Sequence, residues 1–134
     1  GDMARSMSTL TPEDGIGPDG ERISPRLETD LFAAVCKGFL KGAGNSLSQT
    51  EKDHLVIATQ ILATELGARF LTDHLLGDQY FGIQHAGQNL GRARVQLGIA
   101  DEFRQRREEF EEICKNLQKE AGQSDKIGLS SKQC

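Results

Sequence analysis

SQTEKDHLVIATQILATELGARFLTDHLLG, residues 48–77, reads as one long helix with a marked start and stop. Ser48-Gln49-Thr50-Glu51 is a capping box. The Ser48 hydroxyl can accept from the Glu51 amide, and the Glu51 carboxylate can accept from the Ser48 amide. Leu55, Ala58, Leu62, Leu66 and Phe70 then recur at helical spacing. Ile57, Ile61 and Leu71 broaden the stripe, which predicts a helix covered on more than one side. Gly67 stands mid-helix, where it costs ~1 kcal/mol relative to Ala. A close approach by another helix or a ligand is the reason to expect it there. Gly77 supplies the stop.

Working outward, a second helix is expected from about residue 89 to residue 118, on a stripe of Leu90, Ala93, Leu97, Ala100, Phe103, Phe110, Ile113 and Leu117. Its later half is highly charged. Glu102 with Arg106, Arg104 with Glu108, and Arg107 with Glu111 are opposite charges one turn apart, worth ~0.3 kcal/mol each on a solvated face. Upstream, a helix is predicted over 28–40. Leu31, Ala34, Val35 and Phe39 share one face, Phe32 and Cys36 widen it, and Gly42-Ala43-Gly44-Asn45 ends it. Residues 1–27 hold three prolines (Pro12, Pro18, Pro25) and read as an irregular segment lying across other elements. Residues 122–134 read as a polar, disordered tail. No stretch alternates as a strand. The expectation is an all-α fold: a small helical domain over 28–121 with three principal helices.

Composition narrows the function classes. The 134 residues suffice for one domain with a core of its own. A net charge of −4 argues against nucleic acid as partner. The apolar runs read as too short to span a membrane, and GDMARSMSTL lacks the apolar centre of a secretory signal. Cys36, Cys114 and Cys134 are odd in number and widely spaced, so they do not describe a disulfide framework. A reducing cytoplasm is the expected location.

Most motifs are weak. Gly15-Ile16-Gly17-Pro18-Asp19-Gly20 matches a dinucleotide-loop pattern, yet no strand precedes it and Pro18 interrupts it. His54, His74 and His85 place no two rings one turn apart on a helix, so no metal is expected. Residues 69–97, RFLTDHLLGDQYFGIQHAGQNLGRARVQL, carry more. Arg69 and Asp73 are one turn apart and could pair. Asp78 and Tyr80 follow in the turn. A structural knot would have Asp78 cap that turn and Tyr80 fill a gap with its hydroxyl bonded. Arg92 and Arg94 oppose the dipole at a helix start, so each needs an acidic partner such as Asp73 or Asp78. Polar groups converging where helices meet also suit a small polar ligand.

The string ELGARFLTDHLLGDQYF (residues 65–81), followed by NLGRARVQL (89–97), resembles the C-terminal region of N-acetylhexosamine 1-kinase-like phosphotransferases. These belong to the aminoglycoside phosphotransferase group, with a protein-kinase-like fold. His74 stands where that family usually has Tyr. Gly1-Asp2-Met3-Ala4-Arg5 resembles the segment after the family's metal-binding loop, and Leu31-Phe32 with Gly38-Phe39-Leu40 resembles the helix that comes next.

The resemblance implies a helical end of a kinase-like C-lobe that lines a sugar pocket. It places sugar contacts at Arg69 and Tyr80, with Asp73, Asp78, Arg92 and Arg94 as supports behind them. ATP and Mg²⁺ belong to the parent family, whose nucleotide lobe, catalytic Asp and metal-binding Asp lie upstream of this region. The resemblance implies no catalytic residue, metal or cofactor in this chain, and an amino sugar as partner within a full enzyme. The rival expectation is a helical interaction module without enzymatic activity, homodimeric through the broad stripe of residues 48–77.

Overall fold

The computed structural model describes the backbone over residues 2–9 and 11–132, and the side chains over 4–9 and 11–122. Among the described residues, six α-helices follow one another: α1 (Asp2–Ser6), α2 (Thr29–Ala43), α3 (Gln49–Asp53), α4 (Leu55–Leu75), α5 (Gln88–Gln105) and α6 (Arg107–Lys132). A 3₁₀ turn, Gly44–Ser46, follows α2. No strand occurs among the described residues, and the fold is all-α. The capping box forms as the sequence indicates: Glu51 N donates to Ser48 Oγ (3.1 Å), and Ser48 N to Glu51 Oε2 (2.7 Å).

Two of the three expected helices are subdivided. His54 separates α3 from α4, with its ring Nδ1 2.6 Å from the Thr50 carbonyl. Arg106 separates α5 from α6, at φ −109° and ψ 23°. Its guanidinium donates to the Leu27 carbonyl (2.6 Å) and to both Glu109 carboxylate oxygens, and it lies over the Phe110 ring. Charge pairing that read as a solvated face is, at Arg106, also a strap tying α6 to the N-terminal segment. The helix break is local, because Arg106 N still donates to Glu102 O and Phe110 N to Arg106 O. The backbone of α6 runs on as helix to Lys132, through residues expected as an irregular tail. No proline interrupts that stretch, so nothing in it forbids continuation.

The core is a cluster of three rings. Phe32 of α2 meets Phe110 of α6 (centroids 4.6 Å apart) and Phe103 of α5 (6.1 Å), and Phe103 and Phe110 are fully buried. Val56, Ala63, Val95, Ile99 and Ala100 extend it. The apolar faces are rotated by about one residue from those expected. On α2 the buried line is Phe32, Cys36 and Leu40, while Leu31 is exposed. On α4 it is Val56, Thr59, Ala63, Gly67, Phe70 and Asp73.

Small residues explain the rotation on α4. Asp73 meets Asn89 and Gly67 meets Leu97, so α4 and α5 run antiparallel. A Cβ on Gly67 would lie 2.7 Å from Leu97 Cγ. Ala63 and Gly67 therefore face the partner helix because they let it approach, and the larger Ile61 and Leu62 stay outside, 57% and 53% exposed. The N-terminal segment lies across α5, as expected. A Cβ on Gly91 would run into the Asp14 carbonyl oxygen, and one on Gly98 would lie 3.1 Å from the Pro25 ring. The expectation that no run could span a membrane needs correcting. At 21 residues, α4 is long and apolar enough by length and composition, although its buried face includes the hydrogen-bonded Asp73 carboxylate.

Candidate functional site

The turn after α4 is built by main-chain geometry. Gly77 (φ +90°) and Asp78 (φ +60°) are both left-handed. Asp78 N donates to Asp73 O (2.8 Å) and Gly77 N to His74 O (3.3 Å), the two bonds of a Schellman motif. Asp73 then clasps the following loop with its side chain. Tyr80 N donates to Oδ1 (2.8 Å) and Phe81 N to Oδ2 (2.9 Å).

Asn89, fully buried in the first turn of α5, completes the clasp. Its Nδ2 donates to Asp73 Oδ2 (2.9 Å) and Asp78 Oδ1 (3.0 Å), and reaches the Phe81 carbonyl at 3.4 Å. Its Oδ1 accepts from Arg92 Nη1 (2.8 Å), which also donates to the Gly82 carbonyl (2.9 Å). Only this amide orientation works, since a flipped one would set an oxygen against two carboxylates. Burial opposes ionisation of Asp73. The Phe81, Tyr80 and Gln79 amides and the Asn89 side chain outweigh it and hold the carboxyl below the usual carboxylate range.

Above this clasp is a layered stack. The Arg69 guanidinium carbon lies 5.9 Å from the centroids of both the Tyr80 and Phe81 rings. Phe81 meets Phe70 at 4.6 Å, and Arg92 covers the Phe70 ring at 5.7 Å. Tyr80 is 75% exposed, so its ring and hydroxyl face outward beside Arg69. On the Arg92 side, an open cleft of 380 Å³ is lined by Arg5, Glu13, Leu66, Phe70, Arg92 and Gln96, among others.

The six expected site residues thus separate into three places. Arg69 and Tyr80 come together on the outer face. Asp73, Asp78 and Arg92 come together beneath them through Asn89, a residue the sequence reading gave no role. Arg94 is exposed and lines a separate cleft with Asp14, Gly87 and Gly91. Several expected pairings are replaced. Asp73 spends its oxygens on the loop amides and Asn89 instead of Arg69. Arg92 takes Glu13 as acidic partner, Nε to Oε1 3.1 Å, at an angle that makes the contact Coulombic and no directed hydrogen bond. Tyr80 projects outward and fills no gap. His85, outside the two strings that carry the resemblance, contacts Asp14 at 2.9 Å.

Asn89 was discoverable as a polar residue placed where a helix must begin inside the core. Glu13 was not, because its pairing depends on how the N-terminal segment crosses α5. The glycines at 15–20 form a turn closed by the Ile16–Arg22 bridge, and no helix follows them directly. No family model matches the chain.

Proposed function

We propose that this chain is the C-terminal, sugar-site-lining helical part of a hexosamine-kinase-like phosphotransferase, and that it does not catalyse phosphoryl transfer alone. One observation carries the reading. Arg69 and Tyr80, the two positions the resemblance assigns to sugar contact, lie side by side with Tyr80 open to solvent. A guanidinium can donate to hydroxyl or N-acetyl oxygens, and an exposed phenol ring offers a flat apolar face with a polar tip. The Asp73–Asn89 clasp beneath them fixes the loop that carries Tyr80, which suits a preorganised ligand contact.

ATP and Mg²⁺ belong to the parent family. Asp73 and Asp78 do not suit Mg²⁺, because both Asp73 oxygens and Asp78 Oδ1 already accept hydrogen bonds. A reducing cytoplasm suits the two buried thiols.

An ATP-dependent phosphorylation assay with N-acetylhexosamines on this chain tests the catalytic part: no turnover is expected, and robust turnover overturns it. Amide NMR shifts on adding N-acetylglucosamine test the pocket. Shifts confined to Arg69, Tyr80 and Phe81 support it, and saturating sugar without shifts there defeats it.

A second reading is a non-enzymatic helical module that dimerises. It rests on Ile61, Leu62, Leu75 and Leu76 of α4 and its C-cap, each more than half exposed. Sedimentation over a concentration series tests it. A monomer at every concentration rules it out.

A further inference from the structure

Cys36 and Cys114 are 78 residues apart in sequence, yet their sulfurs lie 3.3 Å apart between α2 and α6. Both residues are buried, at 5% and 4% exposure. Apolar stripes on two helices account for burying each thiol, but not for setting one against the other. A separate feature opens Cys114, one of the two, to solvent. A cleft of 220 Å³ between α3, the start of α4 and α6 is lined by Lys52, His54, Arg107, Glu111 and Cys114. It is several times the ~30 Å³ share of a liquid water molecule, so a water-sized oxidant fits.

We propose that Cys36 and Cys114 form an oxidative modification site, converted by peroxide to an intramolecular disulfide that ties α2 to α6. The chemistry closes without a further reactant. One thiol of the pair gives up its proton, and its thiolate attacks one peroxide oxygen. The S–O bond forms as the O–O bond breaks, and the released hydroxide leaves as water with that proton. The second sulfur then attacks the first. The S–S bond forms, the S–O bond breaks, and the second hydroxide leaves as water with the second thiol's proton. Two thiols and one peroxide give one disulfide and two waters, with sulfur oxidised and peroxide reduced.

Geometry and electrostatics favour different sulfurs for the first step, because Cys114 lines the cleft and Cys36 does not. The hydrogen bond from Cys114 lowers the Cys36 pKa, although burial opposes it. That same bond, and burial, raise Cys114. The chemistry closes to the same disulfide whichever sulfur is oxidised first. Closing the sulfurs from 3.3 Å to the ~2.05 Å of a disulfide is a movement of side-chain scale. In a reducing compartment, thiol exchange would reverse the bond.

The test uses the full chain with Cys134→Ser, which removes the third thiol. After hydrogen peroxide treatment, intact mass should show loss of two hydrogens, reversed by dithiothreitol. The folded protein should form this bond about tenfold or more faster than the same chain in urea, because folding supplies the proximity. Further substitution of Cys36→Ala or Cys114→Ala should divert the remaining thiol to oxygen addition. Equal rates in folded and urea-unfolded chain would overturn the proposal. So would oxygen addition without a disulfide, or no reaction in the folded protein.

Discussion

Asn89 Nδ2 lies 2.9 Å from Asp73 Oδ2, joining the last turn of α4 to the first turn of α5, with Asn89 fully buried and Asp73 nearly so. That one amide also holds Asp78 and, through its oxygen, Arg92. A buried group with this many partners is costly to truncate. Asn89→Leu removes the donors and leaves a buried carboxylate short of a partner, which should destabilise by about 2–3 kcal/mol in urea unfolding. Asn89→Asp sets a third carboxylate against Asp73 and Asp78. Its loss should be larger at neutral pH and shrink on mild acidification as one of the three takes up a proton. A loss independent of pH would show that charge repulsion is not its cause.

The Asp73 carboxyl sets an acid dependence whose sign follows from its lowered pKa. In the unfolded chain it titrates near ~3.9; in the fold it titrates lower, held by loop amides and Asn89. Its contribution to stability is therefore complete above the unfolded value. It is lost as pH falls through the folded one. Stability measured from neutral pH down through the carboxylate range should show this acid limb. In Asp73→Asn the limb should be shallower, alongside a lower plateau at neutral pH. An unchanged limb would mean that other carboxylates govern it.

Helix content was readable because capping and periodicity are local. Ser48 with Glu51, and the Gly77 stop, depend on neighbours within a few residues, and both form. The helix faces were less readable. Hydropathy ranks Leu62 above Ala63, but α5 approaches along Ala63 and Gly67, so size decided which side turned inward. The site was legible as a location and not as a set of bonds. Arg69 and Asp73 have the spacing of an ion pair, yet loop amides delivered by the Schellman turn took the carboxylate first. Glu13 reaches Arg92 only through the path of the N-terminal segment, which no local pattern encodes.

Gly67 gives a sharp packing test. On helix propensity alone, Gly67→Ala should stabilise by ~1 kcal/mol. The new methyl carbon would lie 2.7 Å from Leu97 Cγ and 3.3 Å from the Leu97 amide nitrogen. Overpacking of this kind costs ~1–3 kcal/mol, so the net change should be destabilising by urea or thermal unfolding. Combining it with Leu97→Ala should recover part of the loss, giving non-additivity between the two sites. Gain of stability in the single variant would show that α5 shifts away at little cost.

Tyr80 and Arg69 separate binding from folding. Tyr80 is 75% exposed, and its backbone amide, not its ring, is what Asp73 holds. Tyr80→Ala loses the exposed contact with Arg69 and should therefore change unfolding free energy by about 1 kcal/mol or less. Arg69→Ala loses only exposed cation–π contacts, worth ~0.5–1 kcal/mol. Under the sugar-site reading, each substitution should remove the N-acetylglucosamine-induced amide shifts around Phe81 while leaving the unbound spectrum of α5 intact. In a full enzyme of the proposed kind, Arg69→Ala should raise the KM for sugar much more than the KM for ATP. Equal weakening of both would place Arg69 in support of the fold and not in contact with sugar. A large loss of stability in Tyr80→Ala would mean that its ring braces Phe81 and Phe70, which would turn the outer face from a ligand contact into packing.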